Sequence, residues 1–174
     1  MTNTRICAAL AASGLALALA ACGSEEPAPV AEDAGDCVPG INVTDGWMAL
    51  PAVAGNPAAA YFTMENTTDR QVTIRGADLI GAGSAMLHET AEWSRETDMQ
   101  ELFQQPVMAG ETLEFEPGGK HVMVMQPPAD LAAGGESEVT LTFVGGDKCS
   151  FPVTLYAAGE DPREGAGEAE AEAE

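Results

Sequence analysis

The sequence predicts one all-β domain, an antiparallel sandwich or barrel, between two flanking segments that lack the composition of a core. Short segments with strand-like composition recur between residues 41 and 156, and residues typical of turns, such as Pro117-Gly118-Gly119 and Gly145-Gly146-Asp147, separate many of them. No long segment repeats its apolar residues with a helical period, so a helical domain is disfavoured. Roughly 120 residues lie between the flanks, the usual length of one domain with one core.

Residues 1–21 have the pattern of a secretory signal, with Arg5 ahead of an apolar run rich in Ala and Leu. The run falls short of the ~20 strongly apolar residues of a membrane-spanning helix, and a retained helix is the alternative. It ends Leu19-Ala20-Ala21-Cys22, which resembles the lipobox of bacterial lipoproteins, where the cysteine receives the lipid. The residue after Cys22 is not Asp, and the absence of Asp at this position is typical of lipoproteins sorted to the outer membrane. We therefore expect a periplasmic protein with a lipid on Cys22 that anchors it in the outer membrane; secretion without lipid is the alternative.

The two flanking segments of the mature chain are predicted to be a flexible acidic tether, residues 22–36, and a disordered acidic tail, residues 159–174. The tether is small, acidic and Pro-containing, and the tail ends in alternating Glu and Ala. The domain is therefore expected to span residues 37–158. The whole chain has 7 Lys and Arg against 28 Asp and Glu, which argues against nucleic-acid binding because that function needs clustered basic residues.

One of the predicted strands shows a clear alternation of apolar and polar residues. Val139, Leu141 and Phe143 alternate with polar residues, so we expect these three side chains on the core face. The predicted strands are residues 41–48, 58–65, 71–77, 85–89, 99–103, 112–116, 121–125, 138–144 and 150–156, with an acidic, turn-like stretch at residues 92–98.

Two cysteines remain in the domain after the signal and the candidate lipid site are set aside. Cys37 and Cys149 lie near its two edges, and in an oxidising compartment we expect a disulfide that stabilises the fold by ~4 kcal/mol. The alternative is a second metal site. No Cys-x-x-Cys is present, so a thiol-redox enzyme fits poorly.

The stretch His121-Val122-Met123-Val124-Met125 places a histidine and two thioethers on one face of a predicted strand. His121 and Met123 are then roughly 7 Å apart along the strand, close enough for both side chains to reach one ion. Thioether and imidazole together favour Cu(I), whereas zinc recruits thiolate, imidazole or carboxylate, and calcium and magnesium need oxygen ligands. The other histidine of the chain, His88, and Met99 lie upstream.

Ten residues separate His88 from Met99, twenty-one separate Met99 from His121, and one separates His121 from Met123. This His-x10-Met-x21-His-x-Met pattern resembles the motif of the periplasmic PCuAC copper chaperones in all four positions and all three spacings. The strings Ala60-Tyr61-Phe62-Thr63-Met64-Glu65-Asn66 and Pro117-Gly118-Gly119-Lys120-His121 also resemble the family's early strand and its ligand hairpin. The resemblance spans about residues 41–155.

The resemblance implies a cupredoxin-like, antiparallel Greek-key β-sandwich that binds one Cu(I) ion near its surface through His88, Met99, His121 and Met123. It also implies delivery of copper to an acceptor protein, either a respiratory oxidase subunit or another copper chaperone. Two features depart from the family. Glu89 follows the first histidine where many members have Met, and the tail is Glu and Ala rather than rich in Met and His.

Other interpretations of these residues stay open from the sequence. A blue-copper electron-transfer site needs a thiolate with two His, and Cys149 lacks the usual ligand-loop pattern. No motif of an enzyme stands out. A lipid-anchored interaction or copper-storage module without a transfer role is the remaining alternative. Several further residues are expected to pack at the core or the rim of the site, and the tryptophans could instead cover the site; these residues are Met86, Met108, Met125, Trp47 and Trp93.

Overall fold

The computed structural model describes residues 36–93 and 96–163, and all regular structure in these ranges is β-strand. The signal segment, Cys22 and the rest of the tether to residue 35, and residues 164–174 of the tail lie outside the described residues. Both described ranges belong to one compact unit. Within them no helix is long and apolar enough to cross a membrane. The strands are β1 (Asp36–Cys37), β2 (Ile41–Ala49), β3 (Ala58–Asn66), β4 (Val72–Leu79), β5 (Ser84–Trp93), β6 (Glu96–Glu101), β7 (Gln105–Val107), β8 (Thr112–Phe115), β9 (Lys120–Met125), β10 (Glu136–Phe143) and β11 (Lys148–Tyr156).

Seven of these strands pair in a ring, in the order β5-β9-β3-β2-β11-β10-β4, and the pairing of Ala77 with Ala85 closes the ring between β4 and β5. The all-β prediction is therefore confirmed. Of the two predicted forms, sandwich and barrel, the sheet has the closed, barrel-like one. One pair departs from the antiparallel expectation, because β2 and β11 run parallel, with Thr154 opposite Trp47. The strand β6 pairs only with β5 among the described residues and forms an edge beside the ring.

The interior of the ring is filled by alternate residues of its strands. Val139, Leu141 and Phe143 are all buried, as their alternation predicts. Phe62 of β3 stacks on Phe115 with ring centroids 4.2 Å apart and packs against Phe151 at 4.8 Å. These aromatic contacts tie β8 and β11 to β3, so the scaffold that carries β9 is rigidly packed.

A disulfide joins Cys37 of β1 to Cys149 of β11, and the two residues are also register partners. Cys149 is fully buried. Asp36 belongs to β1 rather than to a flexible tether, because its pairing with Ser150 continues the ladder next to the disulfide.

One expectation about local structure was wrong. Much of the acidic stretch at residues 92–98 is strand, because β5 continues to Trp93, β6 begins at Glu96, and these two residues are paired. Cross-strand pairing overrides the turn-like composition of the stretch. Residues 159–163 of the predicted tail are among the described residues, and Arg163 forms ion pairs there with Asp161 at 2.9 Å and with Glu116 at 3.6 Å.

Candidate metal centre

The register of the three neighbouring strands β6, β5 and β9 determines which residues share a face. His88 lies opposite His121, and Met86 lies opposite Met123. On the other side of β5, Met99 lies opposite Thr90. Opposed residues of antiparallel strands, and alternate residues along one strand, project from the same face. All four predicted ligands therefore lie on one face of this three-stranded region.

That face is the outer surface of the ring. The residues of β5 and β9 with the opposite parity, Leu87, Val122 and Val124, are buried in the hydrophobic core. Their burial anchors the two strands from inside and holds the ligand face outward, as the alternation in β9 predicts.

The two histidines form the centre of the site. Their ring centroids are 5.9 Å apart, with an interplanar angle of 49°. Two imidazoles that each place a nitrogen about 2 Å from one ion have centroids about 5–6 Å apart, so the spacing fits a shared ion. Both ring nitrogens of His88 are buried and have no hydrogen-bond partner among the described residues. Buried polar atoms almost always have a partner. The two nitrogens of His88 are therefore candidates for a bound ligand.

His121, unlike His88, has a hydrogen-bond partner among the described residues. It is buried, and its Nδ1 donates a hydrogen bond to the backbone carbonyl of Gly119 at 3.2 Å. This tautomer leaves the lone pair on Nε2. Burial lowers the pKa of His121 below its usual value, and the nearby His88 adds to this effect. The imidazole is therefore neutral at neutral pH and can donate its lone pair to a cation.

The two predicted thioethers lie on opposite sides of the histidine pair. Met123 of β9 is half-buried and is a diagonal neighbour of His88, a relation that spans about 7–8 Å. Met99 is also diagonal to His88, but it belongs to the edge strand β6 and its side chain is 50% exposed. The structure therefore brings His88, His121 and Met123 together, and it places Met99 at the open edge of the same face.

An aromatic wall adjoins His121, and we use this name for Tyr61, Trp47 and Tyr156. The Tyr61 ring is 6.3 Å from His121 and 4.5 Å from Trp47, which in turn meets Tyr156 edge-on at 6.0 Å. Trp47 is 5% exposed yet lies outside the core cluster. It therefore covers the outer face rather than filling the core. The side chain of Trp93 lies outside the described residues.

The start of the tail covers part of this wall. The Arg163 guanidinium lies 5.7 Å from the Trp47 ring centroid, within range of a cation–π interaction. Burial, followed by the nearby Asp161 carboxylate, raises the pKa of Tyr61. The sequence prediction missed this cover because the tail composition indicates disorder and says nothing about where Arg163 docks.

Glu89, which stands where many PCuAC chaperones have Met, takes no part in the ligand face. It has the parity of Leu87 and forms an ion pair with Lys120 at 2.7 Å. In the ranges 36–93 and 96–163 no group of three or more His, Cys, Asp or Glu side chains could hold a metal ion. An ion shared by the two histidines would thus need further ligands of another type, and the thioethers of Met123 and Met99 lie on the same face.

Solved structures share this architecture. The structure titled "Copper-bound PCuAC domain from PmoF2" superposes with a TM-score of 0.59 at 19% identity, over 71% of this chain and 97% of that chain. Apo-DR1885 from Deinococcus radiodurans superposes with a TM-score of 0.54 at 25% identity, over 92% of this chain and 99% of that chain. The predicted cupredoxin-like β fold is therefore confirmed, and the resemblance to PCuAC domains holds at the level of the fold.

Relatives by sequence identify the family. A family model described as "Putative lipoprotein LpqE-like" matches residues 41–155. The protein named "Putative lipoprotein Lxx21020" from Leifsonia xyli subsp. xyli is 34% identical over 156 residues, which cover 88% of this chain and 90% of the relative. Because the family model matches more than half of the chain and this relative is 34% identical over most of it, the chain belongs to the LpqE-like lipoprotein family.

Proposed function

We propose that the protein carries one Cu(I) ion outside the cytoplasm and passes it to an acceptor protein. The observation that supports this proposal most strongly is His88, whose two buried nitrogens have no partner among the described residues and which faces the neutral His121 at 5.9 Å. A cation between these rings would bind one of the two unpartnered nitrogens of His88. Met123 and Met99 complete the proposed ligand set.

The donor types select the ion. Imidazole binds a metal without its acidic proton and thioether carries no charge, so this donor set leaves the charge of a bound ion uncompensated, which favours the monovalent, soft Cu(I) over divalent ions. Thioethers need no deprotonation and do not pair into disulfides, so they remain available where cysteines are oxidised. The solved structure with this fold that is titled a copper-bound domain is consistent with copper as the metal.

The open edge supports a role in transfer rather than catalysis. Met99 is 50% exposed on β6, so a donor from another protein can replace its sulfur while His88, His121 and Met123 still hold the ion. Each such exchange swaps one neutral ligand for another and needs no redox change. We propose a copper site of a respiratory oxidase subunit, or another copper chaperone, as the acceptor.

Family membership supports an anchored, extracytoplasmic location. We propose that Cys22 carries the lipid and that the anchor lies in the periplasmic leaflet of the outer membrane, which keeps the domain near its acceptor. The test is membrane fractionation of cells that express the full chain or its Cys22→Ala variant. The variant should move to the soluble fraction; membrane association equal to that of the wild type would contradict lipidation at this residue.

The metal site is tested by anaerobic Cu(I) titration of the full chain against a competing chelator, with X-ray absorption at the copper edge. We expect one equivalent bound with both nitrogen and sulfur neighbours. Met123→Leu keeps the volume of the side chain and removes only the sulfur, so it should weaken Cu(I) binding while the apo fold persists. Met108→Leu is the matched control, because Met108 is 56% exposed and lies outside β5, β6 and β9.

Two results would contradict the proposal. Only nitrogen and oxygen scattering would remove the thioethers from the site, and equal affinities of Met123→Leu and Met108→Leu would remove Met123. Tight binding without loss of copper to any acceptor would instead support copper storage.

A further inference from the structure

The face that carries the histidine pair holds a thioether that the predicted ligand set omits. We propose that Met86 is a copper ligand of this chain, and that it replaces Met99 as the fourth donor when Met99 is withdrawn. The inference rests on the proposed function, because it concerns the same ion. It divides the donors into two sets that share His88, His121 and Met123: a closed set completed by Met86 and an open set completed by Met99.

The register places Met86 in a compact arrangement with the other three donors. Met86 lies directly opposite Met123, and His88 lies directly opposite His121, on the adjacent strands β5 and β9. Directly opposed side chains have Cβ atoms about 4.5–5.5 Å apart. Alternate residues along a strand are about 7 Å apart. The four side chains therefore form a rectangle on two strands, in which each methionine is two residues from the histidine of its own strand and diagonal to the other histidine.

Core packing does not account for Met86. The side chain is half-buried and lies outside the core cluster, whereas its neighbours along the chain, Ala85 and Leu87, pack in or against that cluster. A long apolar side chain on the outer face of a strand, opposite a second methionine, gains little from gap-filling. Of the two roles expected from the sequence, core and rim, only the rim of the site remains.

The next strand leaves room above the two methionines. The residue of β3 opposite Met123 is Ala59, whose methyl group is too short to cover the sulfur. Two residues along β3, on the same face, the ring of Tyr61 lies beside His121 instead. The neighbouring residue of β3 is thus an aromatic ring beside His121 but only a methyl group beside Met123, so β3 places no bulky side chain against the two flexible thioethers.

Met99 differs from Met86 in the strand that carries it. Met99 is one strand further from β9, on an edge strand, and it is 50% exposed. In the exchange the Cu–S bond to Met99 breaks and a Cu–S bond to Met86 forms. The ion remains Cu(I), no proton moves and both leaving and entering groups are neutral. Met99 can therefore dissociate from the ion when an acceptor protein approaches, and the number of ligands from this chain stays at four.

The test uses full-chain protein labelled with [methyl-13C]methionine, together with Cu(I) affinities measured anaerobically against a chelator. The variants are Met86→Leu, Met99→Leu and the double variant, since Leu keeps the volume and removes the sulfur. Met108→Leu combined with Met99→Leu is the matched control. The urea midpoint of each apo variant shows that the fold persists.

We expect each single variant to keep most of its affinity, and the double variant to lose about tenfold or more beyond the product of the two single losses. The control pair should show no such coupling. On addition of Cu(I) to Met99→Leu, the methyl resonances of Met86 and Met123 should both shift, and that of Met108 should not.

Independent effects of Met86→Leu and Met99→Leu, with no Cu(I)-induced shift of the Met86 methyl in either background, overturn the inference. If Met123 and the histidines still respond to Cu(I) in that case, the proposed function stands without Met86. Absence of Cu(I) binding by the wild type overturns both.

Discussion

His88→Leu is expected to stabilise the apo protein while it abolishes Cu(I) binding. Both imidazole nitrogens of His88 are buried without a hydrogen-bond partner in the described residues. A buried polar atom that lacks a partner raises the free energy of the folded state relative to the unfolded state, where water satisfies it. An apolar side chain of similar size removes this cost, and it removes the ligand with it.

The size of the effect follows from the number of orphaned atoms. A neutral imidazole has one donor and one acceptor, and each unsatisfied group costs about 1–3 kcal/mol. Imperfect fit of the leucine offsets part of the gain, typically by less than about 1.5 kcal/mol. The net increase in the free energy of unfolding should then lie between about 0.5 and 4.5 kcal/mol, which moves the urea midpoint up by roughly 1 M.

Urea unfolding of the copper-free full chain, followed by far-UV circular dichroism, measures this change. The matched control is His121→Leu, which deletes the hydrogen bond from Nδ1 to the Gly119 carbonyl and so should not stabilise the protein. A urea midpoint of His88→Leu below that of the wild type would show that His88 is satisfied in the apo protein. The reasoning that makes it the primary ligand would then fail.

Three further predictions concern the scaffold and pH. Cys37→Ala opens a loop with a sequence separation of 112 residues and should cost about 5 kcal/mol in urea unfolding under oxidising conditions, but nothing once the wild type is reduced. Asn66 is fully buried and its amide donates to backbone carbonyls, including that of Val107, so Asn66→Ala should lower the free energy of unfolding by about 2–4 kcal/mol, measured in the same way. The pKa of His121 is lowered by burial, whereas the unfolded imidazole binds its proton near pH 6.5. The apo protein should thus keep its full stability above about pH 6.5 and lose stability as the pH falls through the folded pKa, and His121→Leu should lose less between about pH 7.5 and pH 5.5.

Much of the candidate site could be predicted because its signal is local. Alternation along β9 determines that His121 and Met123 share one face and that Val122 and Val124 share the other, whatever strands lie beside it. The segments predicted as strands all overlap strands of the structure, while β1 and β7 were missed because two or three residues are too few to show alternation.

The turn-like stretch at residues 92–98 could not be predicted correctly, since its acidic composition is common to turns and to solvated strands. Pairing of Trp93 with Glu96 decides in favour of a hairpin. The contact of Arg163 with Trp47 could not be predicted from the sequence either. Composition does not indicate a cation–π contact between residues so far apart in the chain.

The sequence by itself determined the all-β class, the candidate donor residues and the parity of each candidate within its strand. The tertiary structure decided the register between strands that are distant in the chain. That register sets His88 opposite His121, brings Met86 to Met123, and leaves Met99 at an edge. The physical reason is that parity follows from the geometry of one strand, whereas register depends on how separate strands bury their core faces together.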